Sequence, residues 1–158
     1  MTAPSFPSYE YNPKDTKATA EVFEAQEGVE FKIGKGKGFM RKEADGSIRN
    51  YGVRFPITRA DDGRVSFANF YLHFDGGPRM LKQFQMACVG IKRDKEGEAA
   101  FDSQFGDGDW RIDWESGDLG EAWSILNGSR AVCDITINVN KETGDQGNNF
   151  NKWRPVGV

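Results

Sequence analysis

A mainly β domain with one or two helices is the fold class this sequence predicts, on three observations. Short runs alternate apolar and polar residues with a period of two, Asp-Gly and Gly-rich turns separate them, and only two stretches carry helical spacing. At 158 residues the chain fits one domain that can bury a core without disulfide or metal staples.

Residues 1–27 hold Pro4, Pro7 and Pro13 without clear periodicity and read as a partly ordered N-terminal arm before a domain over 28–158. The first strand follows from Val29, Phe31 and Ile33 alternating with Glu30 and Lys32. It runs into Gly34-Lys35-Gly36-Lys37-Gly38, where glycines allow a bend or a close backbone approach. Asp45-Gly46 turns the chain into a second strand built on Tyr51, Val53, Phe55 and Ile57. Asp62-Gly63 turns it again into a third, Ser66 to Phe74. On that strand Ala68, Phe70, Leu72 and Phe74 share one face, and Phe67, Asn69, Tyr71 and His73 the other.

Gly76-Gly77-Pro78 then opens a helix on which Leu81, Phe84, Cys88 and Ile91 form one apolar stripe. The acidic stretch 94–123 reads as a loop-like connection. A short helix, Leu119 to Leu126, follows, with capping-box spacing at Asp118 and Glu121. Cys133, Ile135, Ile137 and Val139 mark the fourth strand, and Phe150 to Val156 the fifth. Three strands, a helix, a short helix and a terminal hairpin match an OB-fold-like five-stranded Greek-key barrel.

The composition excludes several functions. No apolar run approaches the roughly 18 residues of a membrane span, and the N-terminus lacks the basic start and apolar stretch of a signal peptide, so a cytoplasmic location is expected. Cys88 and Cys133 read as buried free thiols. The single histidine, His73, has no neighbours at metal-ligand spacing, so neither metal nor cofactor is expected. The lysine-glycine run lacks the spacing of a phosphate loop, and Asp107-Gly108-Asp109 does not align with a calcium loop. With no nucleophile elbow and one histidine, enzymatic chemistry is not expected.

The net charge of −3 conceals two blocks: residues 28–93 carry thirteen Lys or Arg against six Asp or Glu, and residues 94–123 carry two against ten. A ligand answers to the field within about 8–10 Å, so a basic face can coexist with an acidic total. Single strands are held by cations along the phosphates and by rings under the bases. The candidate residues for this role are Lys32, Lys35, Lys37, Arg41 and Lys42 on the first strand and its extension, and Tyr51 and Arg54 on the second. Phe67, Tyr71 and His73 on the third strand and Lys152, Trp153 and Arg154 on the last complete the set. Phe39, Phe67 and Trp153 suit the sealing of a barrel end equally well. Trp110 and Trp114 are expected to pack the acidic connection onto the barrel.

In layout, the lysine- and glycine-bearing first strand Glu30 to Arg41, the helix Pro78 to Val89 and the closing hairpin with Asn149-Phe150-Asn151-Lys152-Trp153 resemble a family of phage-encoded OB-fold proteins that bind single-stranded DNA. The resemblance implies sequence-independent coating of DNA in replication and recombination, within the host bacterial cytoplasm and with self-association along the strand. Members of such families often carry an acidic C-terminal tail that recruits partners; this chain ends Lys152 to Val158 without one, so either recruitment of replication or recombination proteins is absent or the internal acidic segment 94–123 does that work. The competing reading is a phage protein-interaction or assembly module built on that acidic, tryptophan-bearing segment.

Overall fold

The computed structural model describes residues 12–15 and 22–157. Six strands form one antiparallel sheet: β1 Gln26–Ile33, β2 Lys37–Lys42, β3 Ile48–Arg59, β4 Val65–Tyr71, β5 Arg130–Val139 and β6 Gln146–Arg154. Two α-helices, α1 Gly77–Cys88 and α2 Lys95–Phe105, and a 3-10 helix, Glu121–Leu126, lie between β4 and β5.

The strand order is β2-β3-β1-β5-β6, with β4 on the other edge of β3. Ile33 pairs with Ile57 and Lys37 with Arg54, so β1 and β2 lie end to end along one edge of β3. This makes six strands where the alternation predicts five. The break falls at the glycines because a Cβ on Gly36 would lie 2.5 Å from the Phe55 ring, and one on Gly34 2.7 Å from Pro56. The sheet also departs from the expected barrel by remaining open: among the described residues no ladder joins β4 to β6.

Alternation decides the core face. Phe31, Ile33, Val53, Phe55, Ile57, Phe70, Ala131 and Cys133 are almost wholly buried on one side of the sheet. The stripe of α1 closes over them, with the Phe84 ring 4.9 Å from Phe55, 4.6 Å from Phe70 and 4.9 Å from Trp153. Burying one such ring contributes roughly 1.5–3 kcal/mol. Cys88 and Cys133 are free and buried as expected, and burial pushes both thiols up to about 12.

The acidic connection is not all loop. Asp94 accepts a hydrogen bond from the Gly97 N–H at 2.7 Å and so caps α2, whose one buried side chain is Phe101. Lys82 on α1 ties the helix down through Glu98 at 3.3 Å and Asp102 at 2.8 Å. β4 stops at Tyr71, short of the expected Phe74, and β6 begins at Gln146, four residues before the expected Phe150.

Of the predicted arm, residues 1–11 and 16–21 lie outside the described residues. Its end packs: Phe23 is buried against Phe31 and Phe150, and Asn148 clasps its backbone with bonds of 2.8 and 2.9 Å. Among the described residues no helix is long and apolar enough to cross a membrane.

Candidate nucleic-acid interface

The side of the sheet away from the core carries the ring-and-cation pattern. Register aligns Lys37, Arg54 and Asn69 across β2, β3 and β4, then Phe39, Gly52 and Tyr71, with Phe67 opposite Pro56. Arg41 and Lys32 extend the row, opposite Asn50 and Thr58. Phe67 is 48% and Tyr71 39% exposed, high values for rings on a folded sheet.

Local contacts hold this face in place. The Arg54 guanidinium lies 5.1 Å from the Phe67 ring centre and donates from Nε to Asn69 Oδ1 at 2.8 Å. These two contacts fix its direction. Gly52 has no side chain, so Phe39 reaches across it to meet Tyr71 edge-on at 5.5 Å. A Cβ there would sit 2.9 Å from Phe39 Cζ and 2.1 Å from the Phe70 carbonyl oxygen.

Ring contacts continue round the end of β4. Tyr71 meets His73 at 5.7 Å, His73 meets Phe74 at 4.1 Å, and Tyr51 lies 6.0 Å from His73 and 5.3 Å from Trp114. Tyr51 belongs to the opposite parity of β3, so His73 bridges the two faces at the rim. His73 Nδ1 and Asn50 Oδ1 are buried without a hydrogen-bond partner among the described residues.

The acidic loop docks on the Tyr51 side, away from the cations. Gly38 N–H donates to the Gly117 carbonyl at 2.8 Å. Asp113 folds this loop by accepting from the Ser116 and Glu115 N–H groups, which hold its carboxyl below the usual range. Both tryptophans pack inward as expected: Trp110 lies 5.1 Å from Trp123, and Trp114 covers Tyr51.

The sequence-derived candidates divide into two groups. Lys32, Lys37, Arg41, Arg54, Phe67 and Tyr71 share the outer face, with Tyr51 and His73 at its rim. Lys32, Lys37, Arg41 and Arg54 have no ion-pair partner among the described residues. Lys42 lies past a bulge in the β2–β3 ladder, next to Glu43. Lys35 lines a separate cleft of about 310 Å³ with Glu121 and Ser124.

The last-strand candidates are elsewhere. Trp153 is 5% exposed and packs between Phe31 and Phe84, so it is a core residue and presents no ring to a ligand. Arg154 is engaged with Asp134 at 2.9 Å. That carboxyl is held low by the Gly28 N–H and then by Arg154. Lys152 is a backbone device: between the Val132–Arg154 and Asp134–Asn151 pairs β6 has one extra residue, and Lys152 takes a left-handed φ of 54°. The bulge lets Phe150 and Trp153, three apart, both face the core.

Phe39, Asn69 and Phe74 also lie at this face, although they were not among the binding candidates. Phe39 was legible, since it alternates with Lys37 and Arg41; Asn69 shares parity with Phe67 and Tyr71. Phe74, 59% exposed, was not, because strand alternation assigns it to the core side. Compared with family models and with curated proteins, the chain matches none of either, so its functional assignment rests on this geometry.

Proposed function

We propose that this protein binds single-stranded DNA on the outer face of β2, β3 and β4 and performs no chemistry on it. The observation that carries the reading is the register: Lys37, Arg54, Phe39, Phe67 and Tyr71 converge on one exposed face, with no acidic residue among the paired positions of β2, β3 and β4 there. Tyr71 and Phe67 are four residues apart on β4, about 13 Å at the usual rise per residue, so the two rings would stack separate, non-adjacent bases of one extended strand. The cations beside them would track the phosphates.

On this reading the curled, unclosed sheet is an OB-type, partly open barrel whose first strand is split at Gly34 to Gly36. The implied role is to coat and protect exposed strands in phage DNA replication and recombination, in the host cytoplasm. Copies would associate along the DNA, and the acidic surface of α2 would meet partner proteins. The alternative of a tryptophan-presenting interaction loop has less support, because Trp110 and Trp114 are both engaged with rings of the same chain.

The experiment is fluorescence anisotropy of a labelled poly-thymidine oligonucleotide at low and near-physiological salt, with duplex of equal length alongside. Salt-sensitive binding that favours the single strand supports the proposal. No binding at low salt refutes it.

A further inference from the structure

The open seam of the sheet is itself a site. Between the free edges of β4 and β6 lies a cleft of about 300 Å³, lined by Asn69, Tyr71, Phe74, Met80, Asn149 and Asn151 among others. Phe70 and Phe150 also line it, and both belong to or pack on the core. Its size is at the lower end for small-molecule pockets, suited to one flat group rather than a length of chain. It opens beside Tyr71, so it continues the proposed DNA face round the edge of β4.

The three amides at this cleft are each half committed. Asn69 Oδ1 accepts from Arg54 Nε at 2.8 Å, and Asn149 Oδ1 accepts from Asn138 Nδ2 at 2.8 Å. Asn151 is reversed, since its Nδ2 donates to Thr136 Oγ1 at 3.2 Å. Among the described residues, this leaves the Nδ2 groups of Asn69 and Asn149 as donors and Asn151 Oδ1 as an acceptor. The cleft thus offers two amide donors, one acceptor and aromatic walls.

We propose that the seam cleft between β4 and β6 holds one pyrimidine base of a single strand lying on the β2–β4 face. This inference rests on the DNA-binding reading and deepens it. The pairing edge of thymine presents two carbonyl acceptors and one N–H donor, the complement of the cleft's inventory, and cytosine also presents two acceptors and one donor-bearing group. Guanine presents one acceptor and two donor-bearing groups, which leaves amide donors unmatched. Phosphate contacts on the face are indifferent to base, so the cleft is the part of the surface that gives the protein a base preference.

The test uses the full chain and follows the side-chain amide resonances of Asn69, Asn149 and Asn151 by NMR. The probes are dTMP, dCMP, dGMP and deoxyribose 5-phosphate, followed by (dT)12 and (dA)12. The expected result is that dTMP and dCMP move these resonances while the base-free sugar phosphate does not, with dGMP weaker. Asn149→Leu, which keeps the branched shape and removes the amide, should weaken (dT)12 roughly five- to tenfold and leave (dA)12 within about twofold. Met80→Trp, which fills the cleft, should abolish the dTMP response; if that variant misfolds, Asn149→Leu on its exposed strand gives the same readout.

Binding of (dT)12 that perturbs Arg54 and Phe67 but leaves the three amides still, with Asn149→Leu neutral, overturns the cleft and keeps the face. Failure of both oligonucleotides to bind overturns the face reading and the cleft with it.

Discussion

Neutralising Lys37 and Arg41 together tests the placement of the interface through a slope. Among the described residues, four cations on the outer face have no acidic partner: Lys32, Lys37, Arg41 and Arg54. Arg130, also on this side of the sheet, is matched by Glu30 at 2.8 Å and is left out of the count. Each phosphate neutralised on a single strand contributes about 0.7 to the log–log dependence of affinity on salt, so four contacts give a slope of about −2.8. Raising salt from about 50 to 200 mM should then weaken binding roughly 50-fold.

With Lys37→Gln and Arg41→Gln the slope should fall to about −1.4, and the same salt step should cost only about sevenfold. Lys35→Gln and Lys152→Gln are the controls. They carry the same charge change on residues that lie off the face, and their slopes should match the unaltered protein. The assay is anisotropy of labelled poly-thymidine at five salt concentrations. An unaltered slope in the double variant, or an equal loss in the Lys35 and Lys152 controls, would refute this placement of the strand.

Four further predictions follow from the same geometry. Phe67→Ala and Tyr71→Ala should each weaken oligonucleotide binding by about 1–3 kcal/mol with little change in denaturation midpoint. Trp153→Ala should instead lower stability by about 3–5 kcal/mol, as seen by urea unfolding. Gly52→Ala drives a Cβ into the Phe70 carbonyl and the Phe39 ring and should destabilise by about 1–3 kcal/mol in the same measurement. Lys152→Gly removes the Cβ from a left-handed backbone position and should raise stability by about 1 kcal/mol while leaving DNA affinity unchanged.

Acid should loosen the segment that supports Trp114. Arg111, through its side chain first and its N–H second, lowers the Asp109 carboxyl from 3.8 to about 2. A depressed folded value means the stabilisation is complete above 3.8 and is lost as pH falls toward 2. Tryptophan emission should therefore change over that window, and Asp109→Asn should remove this part of the transition. An identical acid profile in the variant would discount Asp109.

The strands of this fold were legible because most of them face a core on one side only, and a one-sided strand writes period two into its residues. β3 and β4 follow this rule almost residue by residue. α2 was not legible, because it meets the rest of the molecule mainly through Phe101, the Trp110 ring beside it and the Lys82 ion pairs, and nine of its eleven positions are polar or small enough to read as loop. Asp94 ahead of Glu96 and Glu98 was the cap signal that could have found it.

At the candidate site, side-chain parity placed Lys37, Arg54, Phe67 and Tyr71 on one exposed face of the sheet, and the register agrees. Parity failed on β6, where the Lys152 bulge turns Trp153 inward, and basic neighbours made a core residue look like a ligand platform. Lys35 lies apart from that face for a related reason: it sits in the break between β1 and β2, where no strand register fixes its direction. The two charge blocks do meet in space, through Lys82 on α1 with Glu98 and Asp102 on α2 and at the edge of β2 through the Gly38–Gly117 contact, an arrangement invisible to composition.

The alternation of β4 has a consequence for how this protein tolerates change. Its odd positions, Phe67, Asn69 and Tyr71, support no core, so they can be exchanged to alter ligand preference at little cost to folding. Its even positions, Ala68 and Phe70, are constrained by packing and almost wholly buried. A point substitution therefore edits one property at a time. Insertion or deletion of a single residue within β4 would instead exchange the two sets, exposing Phe70 and burying Asn69, and would damage ligand recognition and the core in one event.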